Sequence, residues 1–126
     1  MKKILVALAL LGATPAAADT AYDRCARAAN NNSDYSSCGS AWIAREETRL
    51  NRAWKAIYPG LPQSSKSALL AEQRAWIAYK DKSCRWRASG DWGREGQVIH
   101  YPTCRAKVVA DRADYLSLMA RDMKER

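Results

Sequence analysis

The chain has 126 residues, with 21 Lys and Arg against 13 Asp and Glu, four Cys, one His and no Phe, and a formal charge of +8. This length holds one ordinary domain and excludes a catalytic domain with a separate regulatory one. The single histidine excludes multi-histidine metal sites and leaves His100 as the only imidazole for a catalytic dyad or triad.

Met1-Lys2-Lys3, an apolar run over residues 4–11 and Ala16-Ala17-Ala18 form the three parts of a secretory signal peptide. Cleavage is expected after Ala18, removing residues 1–18. The apolar run is too short for a permanent bilayer anchor, so no transmembrane segment is expected after removal. The nearest cysteine is Cys25, so lipid attachment at a new N-terminus is not expected. Residues 19–126 then form the expected single domain, and loss of Lys2 and Lys3 leaves a charge of +6. The expected location is the bacterial periplasm or the exterior.

Export decides how the cysteines are read. Four thiols in a small secreted domain point to disulfides, because the compartment oxidises and the core is small. Three pairings are open. The sequential one, Cys25–Cys38 and Cys84–Cys104, closes the most local loops and is the expected one. In the chain-entropy model each loop stabilises by roughly 3 kcal/mol. The spacings do not match zinc modules or a thioredoxin-type redox motif.

Helical periodicity dominates the remainder, giving an all-α domain of three longer helices plus one short N-terminal helix. The short helix spans residues 21–29 and contains Cys25, and the run Asn30-Asn31-Asn32-Ser33 breaks it. Ser40 is the expected N-cap of a helix to about Tyr58, with Ile43, Leu50, Trp54 and Ile57 on one stripe. Pro59-Gly60-Leu61-Pro62 ends it. Ser64 or Ser65 is expected to cap a third helix to about Ala88. Leu69, Leu70, Gln73, Trp76, Ile77, Tyr79 or Lys80, and Cys84 recur along it at steps of three and four. Residues 89–101, with three glycines and no stripe, are expected as a loop held by Cys84–Cys104. Pro102 and Thr103 open a last helix with Val109, Ala113, Leu116, Met119 and Met123 inward.

Candidate chemistry is sparse. His100 ends the glycine-containing loop, where a surface or hydrogen-bonding role is the simpler reading. Glu46, Glu47, Glu72, Asp81, Asp111 and Asp114 lie among arginines, which suits helix-surface ion pairs better than a glycosidase pair. No phosphate-binding glycine loop, nucleophile elbow or zinc spacing occurs. The expectation is a non-enzymatic protein without cofactor or metal.

A basic stretch invites a binding reading. Lys80, Lys82, Arg85, Arg87 and Arg94 face only Asp81 and Asp91, with Trp86 and Trp92 interleaved. Such a patch suits an anionic glycan of the envelope, peptidoglycan or lipopolysaccharide, because aromatic faces stack on sugar rings. Nucleic acid is not expected, since no recognition motif accompanies the charge. The plain alternative is that the tryptophans pack the loop while the charges form a solvated rim.

On the third helix, Arg74, Ile77, Asp81 and Cys84 fall on one side, which suggests a partly buried Arg74–Asp81 set that fixes helix register. The stretch Gln73-Arg74-x-Trp76-Ile77-x-Tyr79-Lys80-Asp81-x-x-Cys84 is preceded by Leu50-Asn51. It is followed by Tyr101-x-x-Cys104 and Arg112-x-x-x-Leu116. Together these residues resemble the lysozyme inhibitor LprI-like N-terminal domain family, over about residues 25–116. The resemblance implies a small, secreted, disulfide-bonded helical domain whose partner is a lysozyme. It also implies that Leu50, Asn51, Gln73, Arg74, Trp76, Tyr79, Asp81 and the four cysteines are signature positions. Their spacing on helix faces favours scaffold roles. The named inhibitor of that family is a lipoprotein, whereas the leader here lacks a lipid-attachment cysteine. Many lysozymes are basic, so a +6 inhibitor would need a local acidic patch, such as one with Asp34, Glu46 or Glu47, or a less basic target.

Overall fold

A computed structural model describes residues 19–126. The expected signal peptide, residues 1–18, lies outside the described residues. Four α-helices follow in order: α1 (Thr20–Ala28), α2 (Asn32–Ile57), α3 (Gln63–Ala88) and α4 (Tyr101–Lys124), and no strand occurs among the described residues. The all-α expectation and both sequential disulfides, Cys25–Cys38 and Cys84–Cys104, hold.

Asp19 caps α1 by accepting from the Tyr22 amide at 2.8 Å. Helix α2 begins eight residues before the expected Ser40 cap, because the asparagine run starts a helix as well as ending one. Asn31 Oδ1 accepts from the Asp34 amide at 2.9 Å, and Asp34 Oδ2 accepts from the Asn30 amide at 2.9 Å. This reciprocal pair satisfies amides that a helix start otherwise leaves free. Gly39 sits inside α2, where it permits close approach of another helix. A Cβ there would lie 2.6 Å from Pro102 Cβ.

Tyr58–Gly60 forms one 3-10 turn around Pro59. Helix α3 then starts at Gln63 after Pro62, without a side-chain cap, so neither Ser64 nor Ser65 plays the expected role. Residues 89–101 are not an open loop. Ser89–Asp91 is a 3-10 turn, Gly93 takes the left-handed conformation (φ 90°), and Gly96–His100 is a π-helical segment that runs directly into α4. Gly96 is buried tightly, where a Cβ would collide with Asp91 Oδ1. Pro102 lacks an N–H, so the ladder is interrupted where the pitch changes. There Thr103 Oγ1 donates to the Ile99 carbonyl at 2.8 Å.

Helices α2 and α4 form the central pair, and α3 leans on α4. Leu50, Ala53, Val109, Ala113 and Leu116 make one buried cluster, flanked by Trp54, Leu69 and Trp76. Cys84, Cys104 and Val108 make a second, flanked by Trp76 and Tyr101. Trp76 therefore ties the two clusters together. The expected inward stripe of α4 holds at Val109, Ala113 and Leu116, but Met119 is only half-buried and Met123 is 47% exposed. The α3 stripe runs through Leu69, Gln73, Trp76, Lys80 and Cys84, leaving Ile77 and Tyr79 outside.

Candidate functional site

The two sides of α3 carry different chemistry. On the inner side, Arg112 of α4 is buried, at 7% exposure. Its Nε donates to Gln73 Oε1 at 2.9 Å and its Nη1 to Glu72 Oε1, while Nη2 is buried without a hydrogen-bond partner among the described residues. The guanidinium lies 5.8 Å from the Trp76 ring and 5.5 Å from the Tyr115 ring. A buried arginine needs such carboxylate, amide and aromatic partners to offset its lost hydration. Arg112 falls on the inward stripe between Val109 and Ala113, and this apolar-stripe position is the signal that could have marked it as a network centre.

The expected Arg74–Asp81 set does not form. Arg74 is exposed, and Asp81 instead accepts from Arg105 Nη1 at 2.9 Å. The same Arg105 nitrogen donates to the Tyr101 hydroxyl at 2.7 Å. The registry contacts thus run between α3 and α4 rather than along α3. Leu50, Asn51, Gln73 and Trp76 line one groove of about 320 Å³ between α2 and α3. Four signature positions therefore meet there, with Leu50 buried, Gln73 and Trp76 half-buried, and Asn51 exposed.

On the outer side, helical geometry divides the basic tryptophan stretch. Tyr79, Lys82, Ser83, Trp86 and Arg87 recur at steps of three and four, so they share one face. They surround a shallow depression of about 370 Å³. Trp86 is 74% exposed and Tyr79 57%. The other members of the stretch lie elsewhere. Lys80 reaches over the Trp76 ring at 5.2 Å and lines the α2–α3 groove. Arg85 stacks on Trp92 at 3.4 Å, and Trp92 meets Tyr101 edge-on at 5.4 Å. Arg94 is exposed in the turn before the π-helical segment. One tryptophan packs and the other stands in solvent.

A third region lies between α1, α2 and α4, a cleft of about 680 Å³ with Trp42 and Lys107 in its wall. Its charges are largely paired with one another, through Arg45–Asp19 at 2.8 Å and Arg49–Glu46 at 2.7 Å. Burial acts to raise the Asp19 carboxyl, but the Tyr22 amide and the Arg45 guanidinium outweigh it and hold it below the usual carboxylate value. Of the candidate acidic residues, Asp34 serves the α2 cap, Glu46 pairs with Arg49, and Glu47 lines the α2–α3 groove.

His100 closes the π-helical segment, its Nε2 3.3 Å from Asp91 Oδ2. Among the described residues, Asp91, Glu95 and His100 are the group that could hold a cation, with ligand atoms within 4.8 Å of one another, Asp91 half-buried and the other two exposed. No helix among the described residues is long and apolar enough to cross a membrane.

Comparisons with curated proteins and with solved structures returned no match. The family model for the lysozyme inhibitor LprI matches residues 23–116, a stretch that includes all four cysteines, both sides of α3 and Arg112. The chain belongs to the LprI family of lysozyme inhibitors.

Proposed function

We propose that the chain is exported, loses residues 1–18, and acts without catalysis by binding a lysozyme and blocking its access to cell-wall polysaccharide. The observation that carries this reading is the family match over residues 23–116. The surface supports it: Trp86 and Tyr79 stand in solvent beside Lys82 and Arg87. Trp, Tyr and Arg are the residue types that dominate protein-binding hot spots. The test is a titration of purified protein into cell-wall lysis assays with several lysozyme types. Lysis is expected to fall to a plateau near one equivalent for at least one type, and unchanged lysis for all of them would sink the reading.

The exposure of Trp86 between two cations also favours a second reading, in which this face binds peptidoglycan or lipopolysaccharide directly. That reading expects cosedimentation with purified cell wall or lipopolysaccharide that weakens with salt and disappears in Lys82→Glu/Arg87→Glu. Absence of binding at low salt would remove it.

A further inference from the structure

Resting on the lysozyme-binding reading, the geometry points to the outer face of α3, carried by Tyr79, Lys82, Trp86 and Arg87, as the surface that seats in the carboxylate-lined cleft of the lysozyme. Tyr79 and Trp86 lie seven residues apart, about 10 Å along the helix axis, with Lys82 between them. Both aromatics are more than half exposed, while the other side of α3 is engaged with α4 through Gln73 and Asp81. The face is thus free on a helix whose position is fixed from behind.

Charge selects the occupant. Among the described residues no carboxylate pairs with Lys82 or Arg87, and the one polar contact of the Arg87 guanidinium is a 3.7 Å approach of Nη1 to Cys104 Sγ. In the 680 Å³ cleft, by contrast, Arg45 and Arg49 are paired with Asp19 and Glu46, and Lys107 and Asp111 add one charge of each sign, so that region offers a partner little net field. An enzyme that cleaves cell-wall glycan works with two carboxyl groups across its cleft, about 5 to 9 Å apart. Two unpaired cations flanking an indole match that cleft in sign. The indole also offers a flat apolar face to a groove shaped for sugar rings.

This placement resolves the conflict between a basic inhibitor and a basic target. Repulsion between whole molecules is screened beyond about 10 Å at ordinary salt, whereas cation–carboxylate complementarity acts at contact in a desolvated cleft. A local acidic patch is then unnecessary, and Asp34 and Glu46 are already engaged within the chain.

The test uses a lysozyme that the full-length mature protein inhibits. Trp86→Ala and Lys82→Glu/Arg87→Glu are expected to raise the inhibition constant by roughly 30-fold or more, the loss typical of a hot spot. Arg52→Glu/Arg121→Glu changes charge equally on another face and is expected to change it less than threefold. All five positions are exposed, so circular dichroism and melting are expected to stay at wild-type values. Equal inhibition by the α3 variants and the wild type overturns the docking surface while leaving the lysozyme reading intact. A wild-type chain that inhibits no lysozyme overturns both. Salt-sensitive pelleting with cell wall alone, lost in the same α3 variants that still inhibit, assigns the face to glycan and overturns the proposal.

Discussion

Cys25–Cys38 and Cys84–Cys104 are separated by 13 and 20 residues, so loop-closure entropy assigns both about 3 kcal/mol. Their surroundings differ sharply. Cys84 and Cys104 are buried in a cluster with Val108, flanked by Trp76 and Tyr101. Cys38 is buried but Cys25 is exposed, and α1, which carries it, buries no residue at all. Nine residues are too few for a stable isolated helix. Besides its disulfide, α1 is held by the Tyr22–Trp42 contact, with ring centres 4.9 Å apart, and by the Arg45–Asp19 pair. The same covalent bond therefore belongs to the core in one place and tethers an appendage in the other. Loop length alone cannot separate these cases, because the difference lies in what the folded state loses when the link is cut.

Cutting the buried link is expected to have the largest effect. Cys84→Ser/Cys104→Ser should cost at least about 3 kcal/mol, since it releases the loop and leaves hydroxyls in an apolar cluster. Urea unfolding followed by circular dichroism should show one cooperative transition shifted to lower denaturant. A shift under about 1 kcal/mol would break the contrast. Gly39→Ala comes next and probes the approach of α2 to the start of α4, two positions before Cys104. Alanine favours a helix by about 1 kcal/mol, but its Cβ would meet Pro102 at 2.6 Å. Overpacking by one methyl typically costs 1–3 kcal/mol, so a net loss of roughly 1 kcal/mol is expected in the same assay. A net gain in stability would mean that α4 yields at Pro102.

The contrast between the disulfides was only half legible in the sequence. Cysteine count and spacing led to the pairing, and the stripe through Val109, Ala113 and Leu116 led to the central helix. Gly96 misled, because a glycine packed tightly against Asp91 inside a helical segment looks the same in sequence as one in an open loop. The asparagine run misled for a related reason: Asn31 and Asp34 start α2 through hydrogen bonds that composition does not display. At the candidate site, the run of cations from Lys80 to Arg94 was visible, but its division among faces followed from helical phase, which places Trp86 outward, and from the turn after α3, which sets Trp92 against Tyr101. Arg112 was seen only as part of a motif. Its place on the apolar stripe was a local signal of burial, but its partners Gln73 and Glu72 arrive from another helix, which local pattern does not display.

Cutting the exposed link should have a smaller and local effect. Cys25→Ser/Cys38→Ser is expected to cost less than about 1 kcal/mol globally, because α1 can fray without opening the core, so the folded state gains part of the entropy that the unfolded state gains. Amide exchange should report it: residues 20–28 lose protection while the amides around Val109 and Leu116 keep theirs. Loss of protection in both places would show that α1 is part of the cooperative unit.

The smallest effect is expected from acid and falls on α1. The Asp19 carboxyl is held below its ordinary 3.8 through the balance that the Tyr22 amide and Arg45 win over burial. A carboxyl with a lowered folded value contributes stability that is complete above the ordinary value and is lost as pH falls through the folded one. Between pH 7 and 5 α1 should therefore be unchanged. Below about pH 3.8 its cap and its ion pair with Arg45 weaken together as Asp19 takes up a proton. In Cys25→Ser/Cys38→Ser, where no covalent tether masks the change, protection of the α1 amides should fall over that acidic window. Arg45→Ala in the same background should flatten the response in part, because the Tyr22 amide still favours the ionised carboxyl. A transition centred above pH 5 would assign the control of α1 to a group other than Asp19, and would place the weak point of this region away from its cap.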